Sequence, residues 1–275
     1  MENQVILVTG ASSGIGKVTA LHLIKKGYVV YGAARRVEQM QEIVDAGGFA
    51  LKLDVTNEEE VKHCIQEIIS KHQKIDVLIN NAGFAVYGPV EDVPLSQARR
   101  QFDVNLFGLA AVTQEVIPHM RKAQKGQIIN ISSIVGKIYM PFGAWYVASK
   151  HALEGWSDCL RTELKPFGVD VVIIEPGIIK TEFADVMYQP MVDVASEPYA
   201  KTTKLLADAT KSSYEKEGEA SDPIVIAEVI EKSISSKNPK TRYARGAKAK
   251  LILFLRRWLP DKLFDKALLS QIKNA

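Results

Sequence analysis

Short runs of apolar, mostly β-branched residues alternate along the chain with longer segments of helical periodicity. Strands as continuously apolar as these are typical of a parallel sheet that is buried on both faces. The predicted strands are residues 5–9, 28–34, 49–55, 75–82, 126–133 and 169–177. The predicted helices between them are residues 15–27, 37–46, 57–72, about 96–121, and one that ends near 164. This alternation predicts an α/β fold, a single-domain Rossmann-type doubly wound parallel sheet with three layers, α/β/α.

The pattern is looser after residue 177. Residues 181–222 mix apolar and charged positions around two prolines, which predicts a partly helical lid or insertion near the substrate. Residues 223–237 predict one more helix. Because no linker indicates a second domain, we expect one dinucleotide-binding and catalytic domain over residues 1–245, followed by a tail over 246–275.

The tail is basic and amphipathic, and Pro260 interrupts it. Three roles are open for it: it can close the substrate pocket, form a subunit interface, or lie on a membrane surface. Packing against the protein or against a sister subunit is the favoured role, and peripheral membrane contact is the less favoured one. The residues available for membrane contact are Lys248, Lys250, Leu251, Phe254, Arg256, Arg257 and Trp258.

The composition excludes several classes of function. Of the 275 residues, 47% are hydrophobic and 24% are charged, which is typical of a soluble globular protein, and the net charge of +3 does not indicate a nucleic-acid partner. The two cysteines lack metal-ligand neighbours at the usual spacing, so neither a metal site nor a disulfide framework is expected. No signal peptide and no apolar run long enough for a spanning helix is recognisable, so we expect a cytoplasmic protein.

A glycine-rich turn, TGASSGIG at residues 9–16, joins the first predicted strand to the first helix. Gly10 can form the tight turn, Gly14 lets the backbone approach a ligand, and Gly16 allows the helix to pack on the strand. The helix N-terminus offers unpaired N–H groups and partial positive charge to a pyrophosphate. The spacing is TGxxxGxG instead of GxGxxG, and its place between strand and helix indicates dinucleotide binding. The predicted binding residues here are Gly10, Ser12, Ser13, Gly14, Ile15 and Gly16.

The end of the second predicted strand selects between the two nicotinamide dinucleotides. A dinucleotide fold often carries an acidic residue there, which binds the 2′-hydroxyl of the ribose. In this chain the neutral Ala34 is followed by Arg35 and Arg36. Guanidinium groups bind a 2′-phosphate well, so the sequence favours NADP(H) over NAD(H), with a solvated basic loop as the alternative.

Six motifs occur in an order that resembles the short-chain dehydrogenase/reductase family. They are TGASSGIG, NNAG at 80–83, Asn105 in NLFG, Ser133 in ISS, YVASK, and PGIIKT at 176–181. The resemblance covers about residues 3–182. Within the family, the chain is similar to the carbonyl reductases that resemble 17β-hydroxysteroid and retinol dehydrogenases.

The resemblance implies a catalytic set of Ser133, Tyr146, Lys150 and Asn105. Ser133 stands thirteen residues before Tyr146, which is the family spacing. Tyr146 would exchange a proton with the substrate oxygen, and Ser133 would bind that oxygen. Residues four apart share a helix face, so the Lys150 ammonium is expected to stabilise the phenolate and to lower the pKa of Tyr146. Lys150 would also bind the nicotinamide ribose, and Asn105 would anchor a water linked to Lys150.

The resemblance also implies further cofactor contacts. Asp54 and Val55 would lie beside the adenine ring, with a turn-forming aspartate as the alternative role of Asp54. The contacts expected near the adenosine ribose are Asn81, Ala82 and Gly83, and those expected near the nicotinamide are Tyr146, Lys150, Pro176, Gly177, Ile179 and Thr181.

Three loops carry large apolar side chains that predict a pocket for a bulky hydrophobic substrate. The candidate lining residues are Phe84, Tyr87, Val135, Tyr139, Phe142, Trp145, Phe183, Met187 and Met191. The expected activity is NADP(H)-dependent interconversion of a carbonyl and an alcohol, with a steroid-, retinoid- or lipid-like substrate, in a homodimer or homotetramer. The alternatives are a non-catalytic NADP(H)-binding sensor or scaffold, and an epimerase or dehydratase on the same scaffold.

Overall fold

A seven-stranded sheet forms the centre of the computed structural model, which describes residues 4–215 and 219–273. The strands are β1 (Val5–Thr9), β2 (Val29–Ala34), β3 (Phe49–Lys52), β4 (Val77–Asn80), β5 (Gly126–Ile131), β6 (Val169–Pro176) and β7 (Arg242–Arg245). Their order is β3-β2-β1-β4-β5-β6-β7, and these neighbouring strands pair in parallel. The predicted Rossmann-type α/β fold is confirmed.

Helices cover both faces of the sheet. They are α1 (Gly14–Lys25), α2 (Gln41–Asp45), α3 (Glu58–His72), α4 (Leu95–Phe102), α5 (Leu109–Ala123), α6 (Ala144–Leu164), α7 (Phe183–Val194), α8 (Glu197–Glu215), α9 (Ile224–Ser235), α10 (Ala249–Trp258) and α11 (Asp261–Lys273). A side-chain cap begins α3, because the Asn57 carboxamide accepts hydrogen bonds from the N–H groups of Glu59 and Glu60.

Alternate residues of β1 point to opposite faces of the sheet. Because both faces are buried, the strand is continuously apolar. Val5 and Leu7 belong to a core with α3, α5 and α6. Ile6 and Val8 belong to a second core with α1, α2 and α9. All four side chains are at most 1% exposed. The sheet is therefore the middle layer of three.

The strand order reverses at β1, which pairs with β2 on one side and with β4 on the other. Such a reversal opens a crevice beyond the carboxyl ends of the strands, where doubly wound folds bind their ligands. The glycine-rich turn follows β1 and the NNAG loop follows β4, so both motifs meet at this crevice.

Three strands end two or three residues earlier than the sequence predicts. The predictions extend to residues 55, 82 and 133, whereas β3, β4 and β5 end at Lys52, Asn80 and Ile131. The residues beyond these ends leave the ladder and form loops at the crevice. These loops contain Asp54, Asn81 and Ser133, so side chains predicted within strands lie on loops at the site instead.

The long helix predicted over about residues 96–121 is interrupted. Between α4 and α5, the segment Asp103–Gly108 is π-helical. Such segments are rare and frequently lie at functional sites. This one contains Asn105, one of the predicted catalytic residues.

The strand β7 is absent from the sequence prediction, because its sequence RYAR has charged residues at both ends and too few apolar ones. Arg242 attaches it to α6 through ion pairs with Glu154 Oε2 at 3.0 Å and Asp158 Oδ2 at 2.6 Å. Besides its pairing with β6, the strand has a charged contact with an element far away in the sequence, and no local pattern reveals such a contact.

The segment after β6 is helical and packs on the protein. Residues 181–222, predicted as partly helical, contain α7 and α8, and the tail contains α10 and α11 on either side of Pro260. Phe264 in the tail is 3% exposed, and the Tyr139 hydroxyl donates to Asp265 Oδ1 at 2.8 Å. Within the described residues, no helix combines the length and apolar character that crossing a membrane requires.

Candidate active site

A cleft of about 1980 Å³ opens beyond the carboxyl ends of the strands. Pockets for one small molecule have roughly 300–1,000 Å³, so this cleft has room for a dinucleotide and a substrate side by side. The predicted site residues that line it are Gly10, Ser12, Ser13, Gly14, Ile15, Arg35, Arg36, Asp54, Val55, Asn81, Ala82, Gly83, Ser133, Tyr146, Lys150, Pro176, Gly177, Ile179 and Thr181. The other two predicted residues, Gly16 and Asn105, are buried and do not line the cleft.

The glycine-rich turn needs glycine for two different reasons. Gly10 and Gly14 have positive φ angles of +66° and +53°, which glycine adopts without steric cost. A Cβ on Gly10 would also lie 2.7 Å from the Ala82 Cα. A Cβ on Gly16 would collide with Asn81 Nδ2 and with the Gly10 carbonyl. Gly16 therefore allows the turn to pack on the NNAG loop, while Gly10 and Gly14 shape the cleft.

Thr9 holds the two motifs together, and the sequence analysis missed it. Its hydroxyl accepts hydrogen bonds from the N–H groups of Asn81 and Ala82, both at 3.1 Å. In return, Asn81 Nδ2 donates to the carbonyl oxygens of Thr9 and Gly10 at 3.1 Å. The sequence signal that could have identified Thr9 is a residue with a hydroxyl group directly before the first glycine of the turn. This network fixes the crevice between β1 and β4.

The N-terminus of α1 forms one wall of the cleft. Its cap residue Ser13 has extended backbone and makes no side-chain cap hydrogen bond among the described residues, and the first turn contains no acidic residue. The unpaired N–H groups and the helix dipole therefore suit an anion such as a pyrophosphate. Lys17, one turn further, also lines the cleft and forms an ion pair with Glu42 at 2.7 Å.

Exposed arginines lie at the far end of the cleft. Arg35 and Arg36 follow β2 and line the cleft near Asp54. Partial burial raises the pKa of Asp54, but hydrogen bonds from Thr56 and the charges of Arg35 and Arg100 outweigh it, so the pKa is lowered. The Thr56 N–H and hydroxyl donate to Asp54 Oδ1 at 3.0 and 2.8 Å. Asp54 thus forms a turn and also lines the cleft.

Three of the predicted catalytic residues meet in the middle of the cleft. Ser133 precedes the short 3₁₀ turn Ile134–Gly136, and its Oγ accepts a hydrogen bond from the Val135 N–H at 3.3 Å. Tyr146 and Lys150 lie one turn apart on α6. The hydroxyl groups of Ser133 and Tyr146 are hydrogen-bonded to each other. The structure therefore brings a hydroxyl pair and a cation to one place.

Burial dominates the ionisation of this group. Tyr146 is 7% exposed, and its burial raises the pKa above the ordinary 10.0, although the hydrogen bond with Ser133 opposes the shift. Burial also lowers the pKa of Lys150 from 10.5 to about 8, against the opposing charge of Glu154. Lys150 Nζ donates to the Ile131 carbonyl at 2.8 Å and lies 5.9 Å from the Tyr146 ring centre.

The Tyr146 pKa lies above its ordinary value, and not below it as expected, because desolvation of the phenol is the largest effect. The prediction relied on the spacing along the helix, which correctly places both residues on one face. It could not include the depth at which that face is buried.

Asn105 fixes a loop and does not reach the cleft surface. It is 1% exposed. Its Oδ1 accepts from the Phe84 N–H at 3.0 Å, and its Nδ2 donates to the Phe84 carbonyl at 2.9 Å and to Ser149 Oγ at 3.2 Å. The π-helical segment thereby holds the NNAG loop against α6. Water binding by Asn105 stays a prediction.

The apolar part of the cleft differs partly from the predicted substrate pocket. The predicted residues that line it are Phe84, Tyr87, Val135 and Met187. The predicted residues that do not line it are Tyr139, Phe142, Trp145 and Met191. Tyr139, for example, stacks edge-on against Phe264 with 5.3 Å between ring centres. The side chain of Phe183 lies outside the described residues.

Much of the remaining apolar wall comes from the segment predicted as a lid and from the tail, through residues that the sequence analysis did not name. The further apolar and aromatic lining residues include Val86, Ile138, Met140, Leu206, Tyr214, Ile252 and Leu268. They belong in part to α8, α10 and α11. Tyr87 lies with its ring centre 5.8 Å from that of Tyr146, and burial holds its pKa well above 10.0. The Tyr87 side chain beside Tyr146 is therefore neutral, and the side chains named above make this part of the cleft wall apolar.

Comparison with known proteins gives matches over most of the chain, and they agree with the family resemblance of the sequence motifs. Residues 4–191 match the family model described as short chain dehydrogenase. The chain is 36% identical over 269 residues to the 3-ketodihydrosphingosine reductase of Bacteroides thetaiotaomicron, covering 98% of this chain and 97% of that protein. It is 32% identical over 279 residues to the NADPH-dependent 3-dehydrocapnine reductase of Ornithobacterium rhinotracheale, covering 98% and 97%.

The fold is also that of solved members of this family. A short-chain dehydrogenase from Streptomyces avermitilis matches with a TM-score of 0.82 and 30% identity, covering 99% of this chain and 97% of that one. Solved structures at 28% and 25% identity include an NADP⁺ complex and an NAD⁺ complex, so both cofactors are found on this fold. The motifs, the geometry of the cleft and these matches agree, and the chain belongs to the short-chain dehydrogenase/reductase family of oxidoreductases.

Proposed function

We propose that the protein is an NADP(H)-dependent carbonyl reductase that acts on a bulky, lipid-like ketone. The observation that carries the proposal is that Ser133, Tyr146 and Lys150 line the same cleft as the glycine-rich turn and the apolar wall. The part of the cleft beside the turn would hold the dinucleotide, and the part beside the apolar wall would hold the substrate. Two relatives are named as reductases, of 3-ketodihydrosphingosine and of 3-dehydrocapnine, which supports the reaction class.

The residues present fit a phosphorylated dinucleotide. The close approach of Gly10 to Ala82 leaves a cradle beside the N-terminus of α1, where N–H groups would hold the pyrophosphate. Arg35 and Arg36 would bind the 2′-phosphate with charge-assisted hydrogen bonds. When bound, NADPH would supply the hydride, and the protein supplies position and protons.

Ser133 and Tyr146 would act together on the substrate oxygen. The Ser133 Oγ accepts from the Val135 N–H, and its own proton would turn from Tyr146 to the substrate carbonyl when that oxygen binds. Tyr146 would donate its proton as negative charge develops on that oxygen. Because burial raises the pKa of Tyr146, the hydroxyl stays protonated at neutral pH. Reduction requires this protonated form, because the substrate oxygen takes its proton from it.

Lys150 would stabilise the phenolate that Tyr146 leaves behind. With a pKa of about 8, the Lys150 amine is mainly cationic at neutral pH, and the Ile131 carbonyl holds it in place. A cation close to the phenolate lowers the cost of the proton transfer.

The rate of reduction is expected to depend on pH through Lys150. The amine is charged below a pKa of about 8 and loses its proton as the pH rises through that value, so kcat/KM for the ketone should fall on the alkaline side of about pH 8. Glu154→Gln should move this decline to lower pH, because the Glu154 charge raises the pKa of Lys150. Lys150→Met should leave a low activity without the decline. A pH profile that is flat through this region would contradict the assigned role.

The proposed substrate class is tested with a homologous series of ketones. NADPH oxidation by the wild-type protein is followed with methyl ketones of increasing chain length, and kcat/KM is expected to rise about threefold to fourfold per methylene until the apolar wall is filled, since each buried CH₂ contributes about 0.8 kcal/mol. Turnover confined to small, polar ketones would refute the lipid-like substrate. A wild-type protein that reduces no carbonyl would refute the reductase.

A further inference from the structure

Helix α10 has two different faces, and its inner face packs against the rest of the protein. Ala249 is 1% exposed, and Ile252 lines the cleft. Arg256 points inward as well, because its guanidinium pairs with Asp261 at 2.9 Å and lies 5.1 Å from the Tyr139 ring centre. These contacts fix the rotation of the helix about its axis.

The opposite face exposes three large apolar side chains. Leu251, Phe254 and Trp258 are 59%, 61% and 67% exposed. They are spaced i, i+3 and i+7, so they form one band along the helix. Lys250 and Arg257 occupy the adjoining positions. We call these five residues the α10 outer face. Single exposed apolar residues are ordinary, but a continuous band of this size is typical of a binding surface.

The charge of this region is of one sign. Residues 246–260 contain four basic residues and no acidic residue. Lys248 pairs with Glu219 at 3.3 Å, and Arg256 pairs with Asp261. Among the described residues, Lys250 and Arg257 form no ion pair, and the Arg257 guanidinium lies 5.7 Å from the Trp258 ring centre. The α10 outer face therefore combines aromatic rings with uncompensated cations.

We propose that the α10 outer face docks on the surface of an anionic lipid bilayer. The aromatic and leucine side chains would enter the boundary between headgroups and acyl chains, with the two cations at the level of the lipid phosphates. Tryptophan is favoured at that depth because its ring is apolar and its N–H is polar. A second copy of the chain fits less well, since a symmetric contact through this face would bring Lys250 and Arg257 against the same cations of the partner.

The docked orientation would place the apolar wall of the cleft next to the bilayer. Ile252 lies on the inner face of the same helix, and Leu268 of the following helix also lines the cleft. A lipid-like ketone could then pass from the bilayer to the cleft over a short path. This last step rests on the proposed function, whereas docking itself does not require any catalysis.

The experiment is co-sedimentation of the full chain with vesicles of two compositions, phosphatidylcholine alone and equimolar phosphatidylcholine and phosphatidylglycerol. The wild-type protein is expected to sediment with the anionic vesicles, and binding is expected to weaken as salt is raised. Phe254→Ser/Trp258→Ser and Lys250→Glu/Arg257→Glu should each lower the affinity by about tenfold or more. The matched control is Val90→Ser/Leu95→Ser, which removes residues 60% and 62% exposed on another surface and should bind like the wild type.

Thermal unfolding of every variant, together with NADPH oxidation on a water-soluble ketone, checks that the fold and the site are intact. Vesicle binding that is absent in the wild type, or unchanged in both α10 variants, overturns the proposal. The proposal is also overturned if light scattering shows that Phe254→Ser/Trp258→Ser dissociates an oligomer and the wild type does not bind vesicles. The α10 outer face is then a subunit interface. If no ketone is turned over but anionic vesicles bind, only the proposed function fails.

Discussion

Tyr146→Phe is expected to lower kcat for NADPH-dependent ketone reduction by roughly 10²–10⁴-fold, the range that a positioned general acid contributes. The substitution removes one oxygen and keeps the ring, which packs beside Tyr87. In the proposed mechanism it removes the proton that the substrate oxygen would receive, while the apolar wall stays filled. The effect should appear in kcat and in kcat/KM together, because the lost interaction belongs to the transition state.

The same variant is expected to bind NADPH within about threefold of the wild-type affinity, measured by fluorescence titration, since the glycine turn and the arginines are unchanged. Tyr87→Phe is the matched control. Its hydroxyl is hydrogen-bonded to Met140 Sδ at 3.3 Å and has no assigned role in proton transfer, so kcat should change by less than about tenfold. A Tyr146→Phe protein that retains activity close to that of Tyr87→Phe would mean that another group delivers the proton.

Arg35→Ser/Arg36→Ser is expected to lower kcat/KM for NADPH by about 10²–10³-fold while changing that for NADH by only a few-fold. A charge-assisted hydrogen bond contributes about 1.5–3 kcal/mol, and because both guanidiniums are exposed we take the low end of that range for each. Two such interactions give about 3–4 kcal/mol, which is the stated factor. Steady-state kinetics with both cofactors measures the ratio directly.

Arg99→Ser controls for the loss of a positive charge away from the site, since Arg99 is exposed and does not line the cleft. It should leave the ratio of NADPH to NADH activity unchanged. The single substitutions at Arg35 and Arg36 divide the effect between the two side chains. Equal losses of kcat/KM with both cofactors in the double variant, or a wild-type preference for NADH, would show that the arginines do not bind the 2′-phosphate.

The place of many predicted site residues at the cleft could be predicted because these residues lie next to the ends of strands. In a parallel sheet these ends meet at one edge, so the order of the strands already places Gly10, Asp54, Asn81 and Ser133 together. The helical spacing of Tyr146 and Lys150 is equally local. Their placement needs only short-range pattern and one rule about sheet topology, whereas the roles expected of most of them come from the resemblance to the family.

The parts that could not be predicted depend on contacts between distant segments. Ile252 and Leu268 line the cleft only because the tail folds back against α8 and the loop at residues 134–142. Trp145 is adjacent to Tyr146 in the sequence but lies outside the cleft lining, since consecutive helical residues face different directions. The direction of the Tyr146 pKa shift was missed for the same reason, because burial is a property of the complete fold.

The two halves of the cleft are made by different parts of the chain, and this division bears on how the protein can acquire new specificities. The loops at the strand ends form the cofactor half, whereas α7, α8, α10 and α11 supply much of the apolar wall. Substitutions in these helices can change the shape of the wall while the sheet and the hydroxyls of Ser133 and Tyr146 stay in place. Directed evolution of substrate range should therefore concentrate diversity at Met187, Leu206, Tyr214, Ile252 and Leu268 and leave the strand ends unchanged.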